Sequence, residues 1–174
     1  MEARDQSSIG IISVGGVRVG PAEGRAIRMP RAQLITRKVS SDQTGGAYSL
    51  FEVTVGPGGG EGPHIQHRED ECFYVLEGRF GFVVEGEQIE VGPGSLVYVP
   101  KGVLHAFENA SETTGRRLVS QTPGGAYERF IEEVGPPAAA EGMPPETGEP
   151  MGDDIRRLAA VGALYGVEMV STLP

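Results

Sequence analysis

The chain has 174 residues, enough for one domain, and its 39% hydrophobic residues are an ordinary globular share that can bury a core. Its 24 acidic side chains against 15 basic ones give a formal net charge of −9, which disfavours nucleic acid or an anionic membrane as a partner. No apolar run approaches the ~18 residues of a membrane span, and the first residues do not resemble a secretory signal. The single cysteine, Cys72, fits a reducing compartment. We therefore expect a cytoplasmic protein.

Short apolar runs, cut by Gly, Pro, Asp and Ser, fill the chain from about residue 9 to residue 121. Many of their residues are β-branched or aromatic, and turn signals recur every 8–12 residues. This spacing predicts an all-β sandwich or barrel rather than alternating strands and helices. Glu77-Gly78 and Glu85-Gly86 fit tight hairpin turns, where glycine supplies a positive φ. The predicted strands are 9–14, 26–29, 34–39, 48–55, 72–76, 79–85, 88–91, 95–99, 105–108 and 117–121.

The C-terminal part of the chain has a different pattern. Helical spacing predicts one helix over Ala126–Val134 and a second over residues 153–165, each with an apolar face. Between them, residues 135–152 are rich in Gly, Pro and Ala, which predicts an irregular, mobile connection. Residues 167–170 fit either a strand or an extended tail.

Two of the three histidines, His64 and His105, each stand beside a Gly/Pro turn and a strand. On an extended strand, residues 64 and 66 point to one face and His67 points to the other. After the polar turn at residues 68–70 a new strand begins, so Glu71 can be directed to the same interior. Imidazole and carboxylate groups brought together inside a barrel make a metal site.

These residues resemble the two sequence motifs of the cupins. The first cupin motif runs Gly, five residues, His-x-His, three or four residues, Glu, six residues, Gly. The second runs Gly, five residues, Pro-x-Gly, two residues, His, three residues, Asn. The chain matches the first motif at His64, Glu71 and Gly78, and it matches the second at Gly94, Pro100, Gly102, His105 and Asn109.

The resemblance covers about residues 35–121, and the tail beyond it is similar to that of bacterial single-domain cupins described as quercetin-dioxygenase-like. It implies a double-stranded β-helix, or jelly-roll barrel. We therefore expect N-terminal extra strands over residues 1–34, the barrel over 35–121, and a helical extension packed on it over 122–174. The resemblance also implies a homodimer, and apolar residues on both faces of the strands near residues 73–76 and 96–99 agree with one.

The chain departs from the first motif at Gln66, where the family usually has its second histidine. Aligning His67 there instead would place Ile65 at the first ligand position and lose His64, so we prefer the first register. The resemblance then implies that His64, Glu71 and His105 hold one divalent transition metal (Fe, Mn, Ni, Co or Zn). Gln66 adds a weak neutral oxygen or orients a bound water.

Three functions remain open. The resemblance to quercetin-dioxygenase-like cupins implies dioxygenation of a small organic substrate with an enol, enolate or carbonyl group, with Glu71 doubling as the catalytic base. A non-redox cyclase, isomerase or decarboxylase would use the metal as a Lewis acid. A small-molecule-binding protein without a catalytic metal is the third, and the Gln66 substitution favours it.

The other polar and aromatic residues near the motifs have simpler interpretations. We expect His67 at the rim or outside, Glu69 and Asp70 in a solvated turn, and Cys72 as a small buried hydrophobe. The aromatic residues of these strands are expected to fill the barrel: Phe73, Tyr74, Phe80, Phe82 and Tyr98.

Overall fold

The structure is a computed structural model that describes residues 10–11, 16–139 and 152–171. The described residues form fourteen β-strands, a 3₁₀ turn at Asp42–Thr44 and two α-helices. The strands are β1 Gly10–Ile11, β2 Val17–Arg18, β3 Arg25–Met29, β4 Gln33–Val39, β5 Ser49–Val55, β6 Gly60–Gln66, β7 Asp70–Glu77, β8 Phe80–Val84, β9 Glu87–Val91, β10 Leu96–Val99, β11 Leu104–Asn109, β12 Gly115–Thr122, β13 Pro137–Ala138 and β14 Val167–Met169. The helices are α1 Ala126–Val134 and α2 Gly152–Tyr165, and neither is long and apolar enough to cross a membrane.

Two antiparallel sheets build the barrel. One has the order β10-β7-β12-β5-β4-β3-β13 and the other has the order β14-β6-β11-β8-β9, while β1 and β2 pair separately. Their inner faces meet in an aromatic core, where the Phe73 ring of the first sheet lies 5.2 Å from Phe82 and 5.8 Å from Phe107 of the second. The predicted all-β jelly-roll with N-terminal strands and two C-terminal helices is therefore confirmed.

Alternating burial explains why these segments form strands. In β5, every second residue from Ser49 to Val55 is buried, and β7 and β12 show the same period of two. The predicted hairpin at Glu85-Gly86 is present, and both residues have positive φ (49° and 86°), as a tight two-residue turn between twisted strands requires.

The structure adds strands where the sequence pattern was weak. β6 is interrupted by Gly60, Gly62 and Pro63, so its apolar run is too short to recognise. Within the segment predicted as an irregular connection, Pro137–Ala138 forms β13 and pairs with β3, while residues 140–151 lie outside the described residues. Residues 167–169 form a strand, β14, that pairs with β6.

The division of the chain between residues 34 and 35 stays a prediction, and β4 runs across that boundary.

Glu69 corrects the expectation of a solvated turn at residues 69 and 70. Its side chain is buried, and its carboxylate accepts hydrogen bonds from the backbone N–H groups of Ala126 (2.7 Å) and Tyr127 (2.8 Å). It therefore satisfies the otherwise unpaired amides at the start of α1 and complements the helix dipole. Burial raises the pKa of Glu69 above its usual value, against the opposing effect of these two hydrogen bonds.

Two tyrosines expected to fill the barrel point outward instead. Tyr74 and Tyr98 are exposed, whereas Phe73, Phe80 and Phe82 are buried as predicted. The reason is that β7 and β10 carry apolar residues on both faces, so hydrophobicity alone does not tell which face is inside.

Candidate metal centre

Three strands bring His64, Glu71 and His105 together inside the barrel. His64 lies on β6 directly opposite His105 on β11, and Glu71 is the first inward-facing residue of β7. The Glu71 Oε2 atom lies 2.7 Å from His105 Nε2 and 3.8 Å from His64 Nε2. All three side chains are closed to solvent, and one donor atom of each lies within 4.8 Å of the others.

Backbone contacts fix the ring orientation of both histidines. His64 Nδ1 lies 2.8 Å from the carbonyl oxygen of Gly62, and His105 Nδ1 lies 3.0 Å from that of Val103. A carbonyl accepts a hydrogen bond, so each Nδ1 carries the proton and each Nε2 presents its lone pair to the interior in the neutral ring. Outer contacts of this kind hold metal-ligating histidines in place.

The three inner atoms lack hydrogen-bond partners of their own. His64 Nε2, His105 Nε2 and Glu71 Oε2 are all buried and make no bond of suitable geometry. A carboxylate oxygen 2.7 Å from an imidazole lone pair is favourable only with a cation, either a proton or a metal ion, between them. The residues therefore fit a divalent transition metal, since two imidazoles and one carboxylate are a common ligand set for such ions.

Gln121 on β12, which is not among the site residues predicted from the sequence, orients Glu71. Its side-chain N–H donates to Glu71 Oε1 (2.8 Å), and the two residues are directly opposite each other on β12 and β7. Burial alone would raise the pKa of Glu71, but the contacts with His105, His64 and Gln121 outweigh it and hold the pKa below its usual value. Alternation along β12 could have predicted that Gln121 faces inward.

Gln66 and His67, the two candidates for the second histidine position of the first motif, separate as the strand period predicts. Gln66 is buried on the same face of β6 as His64, and its side-chain nitrogen has no hydrogen-bond partner. His67 is exposed at the end of β6, where its Nε2 lies 2.7 Å from Glu168 Oε2. The assignment of Gln66 as a ligand stays a prediction.

A buried arginine lies deeper in the barrel. The Cζ atom of Arg117 on β12 stacks 3.5 Å from the ring centre of Phe107. It also lies 5.0 Å from the ring centre of Phe80 and 5.1 Å from that of Phe73. Its burial lowers the pKa of the guanidinium to about 10. Arg117 and Glu71 border the same cavity of about 10 Å³, which is room for about one water molecule.

Comparison with known proteins agrees with this geometry. A family model described as a cupin domain matches residues 51–120. A Streptomyces coelicolor protein is 40% identical over 74 residues, which are 42% of this chain and 68% of that protein. The chain belongs to the cupin superfamily.

Two enzymes are among the similar cupins. Quercetin 2,3-dioxygenase from Bacillus subtilis is 30% identical over 74 residues, 42% of this chain but only 21% of that enzyme. The structure of the polyketide cyclase RemF from Streptomyces resistomycificus is 31% identical, with a TM-score of 0.53 over 60% of this chain and 78% of RemF. The first similarity covers a small part of the dioxygenase, whereas the second covers most of the RemF chain.

Proposed function

We propose that this cupin is a metal-dependent enzyme, and that it acts as a dioxygenase on a small organic molecule with an enol or carbonyl group. The observation that carries the proposal is the buried set of two imidazole nitrogens and one carboxylate oxygen without hydrogen-bond partners. Two histidines and one carboxylate form the ligand set of many non-haem iron oxygenases. The local similarity to quercetin 2,3-dioxygenase supports the same reaction class.

His64, Glu71 and His105 would hold the ion. When bound, a divalent transition metal would supply Lewis acidity toward a substrate oxygen and, if it is redox-active, a path for electrons. Glu71 would take the proton of the substrate enol at Oε2, while Gln121 keeps its other oxygen in place. The rings of Phe73, Phe82 and Phe107 would keep water away from the reacting atoms.

A non-redox cyclase is the second candidate. It is favoured by the similarity to RemF, which covers far more of its relative than the similarity to the dioxygenase does. In this case the same donors would hold a Lewis-acidic ion, and Glu71 would move a proton without any change in oxidation state.

Oxygen uptake separates the two candidates. The purified protein, loaded with Fe(II), Mn(II), Ni(II), Co(II) or Zn(II), is mixed with quercetin and with other enolisable phenols in an oxygen-electrode cell. We expect substrate loss with matching oxygen uptake, and neither in His105→Ala, because that change removes a donor. Substrate conversion without oxygen uptake would refute the dioxygenase and support the cyclase.

We further propose that the protein is a homodimer. Leu96 and Tyr98 of β10 are 57% and 55% exposed, and Tyr74 stands directly opposite Leu96 on β7. β10 is also an edge strand of its sheet, and no other described strand pairs with its outer edge, where a second copy could pair. Light scattering at micromolar concentration should give twice the chain mass, and Leu96→Lys should give one chain mass. A monomeric wild-type protein would contradict the proposal.

A further inference from the structure

A β-bulge in β6 turns one more carboxylate toward the barrel interior. In the pairing of β11 with β6, His105 is opposite His64, but Phe107 is opposite Glu61, so Gly62 and Pro63 together oppose one residue. Residues directly opposite each other in antiparallel strands share a face. Glu61 therefore lies on the inner face with Phe107 and His64, although strict alternation from His64 would put it outside.

The backbone at Gly60 allows this close arrangement. A Cβ atom at Gly60 would lie 2.1 Å from the carbonyl oxygen of Phe107, and its φ of +151° is one that other residues rarely adopt. Pro63 donates no backbone hydrogen bond, which is typical of a bulge position. The Gly60–Pro63 sequence thus shapes the bulge that directs Glu61.

The distances place Glu61 at the edge of the metal centre. Its Oε1 lies 3.9 Å from His64 Nε2, and two atoms bound to one ion at about 2.1 Å lie at most about 4.2 Å apart. Glu61 is not within 4.8 Å of every donor in the His64, Glu71 and His105 group, so a change of rotamer must bring it closer. Among the described residues, none donates a hydrogen bond to the Glu61 carboxylate, so a change of rotamer breaks no hydrogen bond to them.

Charge and access both favour a role for this carboxylate. A divalent ion beside the buried Arg117 would leave the interior strongly positive if Glu71 were the only anion, and burying uncompensated charge is costly. Glu61 borders the inner cavity together with Glu71 and Arg117. It also borders two cavities that open to solvent (the outer cavities), of about 570 and 200 Å³, whereas His64, Glu71 and His105 border neither of them.

We propose that Glu61 is a fourth protein ligand of the metal centre and compensates for the imidazole that Gln66 replaces. The inference rests on the proposed function, since it takes His64, Glu71 and His105 to hold an ion. As the donor nearest the outer cavities, Glu61 is the ligand that an entering ion meets first.

The test is a Co(II) titration of the untagged apoprotein, followed by calorimetry and visible absorption. Glu61→Gln keeps the side-chain volume but removes the charged donor, and we expect it to weaken Co(II) binding about 10- to 100-fold and to change the Co(II) spectrum. Glu61→His supplies a neutral donor and should restore most of the affinity. Glu108→Gln is the matched control, because exposed Glu108 lies opposite Gly60 on β11, and it should bind like the wild type.

Each outcome decides between ligation and its alternatives. If Glu61→Gln binds Co(II) as tightly as the wild type, Glu61 is not a ligand, although the metal centre stands. If Glu108→Gln weakens binding equally, or if Glu61→His binds no better than Glu61→Gln, long-range charge explains the effect and the inference fails. A wild-type protein that binds no Co(II) overturns the proposed function itself.

Discussion

Replacing Glu69 by Gln should destabilise the fold, because this buried carboxylate joins α1 to the strand that carries Glu71. The carboxylate accepts two backbone hydrogen bonds, from Ala126 and Tyr127, with one oxygen each. An amide has a single acceptor oxygen, so one N–H loses its partner. A hydrogen bond to a charged group contributes about 1.5–3 kcal/mol, and relief of the buried charge offsets part of this loss.

The expected net effect of Glu69→Gln is a decrease of about 1–2 kcal/mol in the free energy of unfolding. For a chain of this length, each kcal/mol changes the melting temperature by about 2–4 °C. Thermal unfolding followed by circular dichroism should therefore show a melting temperature about 2–8 °C below that of the wild type. Glu168→Gln, which removes only an exposed pair with His67, is the control and should change little. Equal melting temperatures for Glu69→Gln and the wild type would refute the capping role.

Gln66, Arg117 and Glu128 offer three further tests. Gln66→His should raise Co(II) affinity about 10- to 100-fold, because Gln66 is buried on the same face of β6 as His64 and its side-chain nitrogen has no hydrogen-bond partner. Equal affinities in calorimetry would mean that residue 66 does not face the metal. Arg117→Met should leave the free energy of unfolding in urea unchanged or raise it, because it removes a buried charge and keeps contact with the phenylalanine rings; a loss above about 3 kcal/mol would contradict this. Burial acts to raise the pKa of Glu128, but hydrogen bonds from Ser41 and Ser49 and the charge of Arg37 hold it below its usual value of 4.5. The stabilisation that ionised Glu128 gives is therefore present above about pH 4.5 and is lost as the pH falls further. Glu128→Gln should make the free energy of unfolding depend less on pH below about pH 4.5. An unchanged pH dependence in this range would show that Glu128 is not its source.

The sequence predicted the barrel well because most of its strands alternate. β5 and β12 bury every second side chain, and glycine marks the turn between β8 and β9, so the period of two and the turn residues agree. The three metal-ligand candidates could also be predicted from the sequence, because His64, Glu71 and His105 each stand on an inward position of a strand that is regular or marked by a motif.

Features that depend on distant or irregular contacts could not be predicted in the same way. Glu61 faces the interior only because the bulge at Gly62 and Pro63 breaks the alternation of β6. Glu69 stands in a polar run that is typical of a solvated turn. The backbone amides that donate hydrogen bonds to its carboxylate come from a helix 57 and 58 residues further along the chain. Tyr74 lies on a strand that is apolar on both faces, so the pattern does not reveal which side meets solvent.

The metal content of protein purified without an affinity tag tests the central claim most directly. Elemental analysis by mass spectrometry should find about one transition-metal ion per chain in the wild type, because three convergent buried donors bind such ions well. His105→Ala should carry almost none, whereas His67→Ala, which changes an exposed side chain at the end of β6, should keep its metal. A metal-free wild type that also fails to take up added Co(II), or a His67→Ala variant that loses its metal while His64→Ala retains it, would contradict the account.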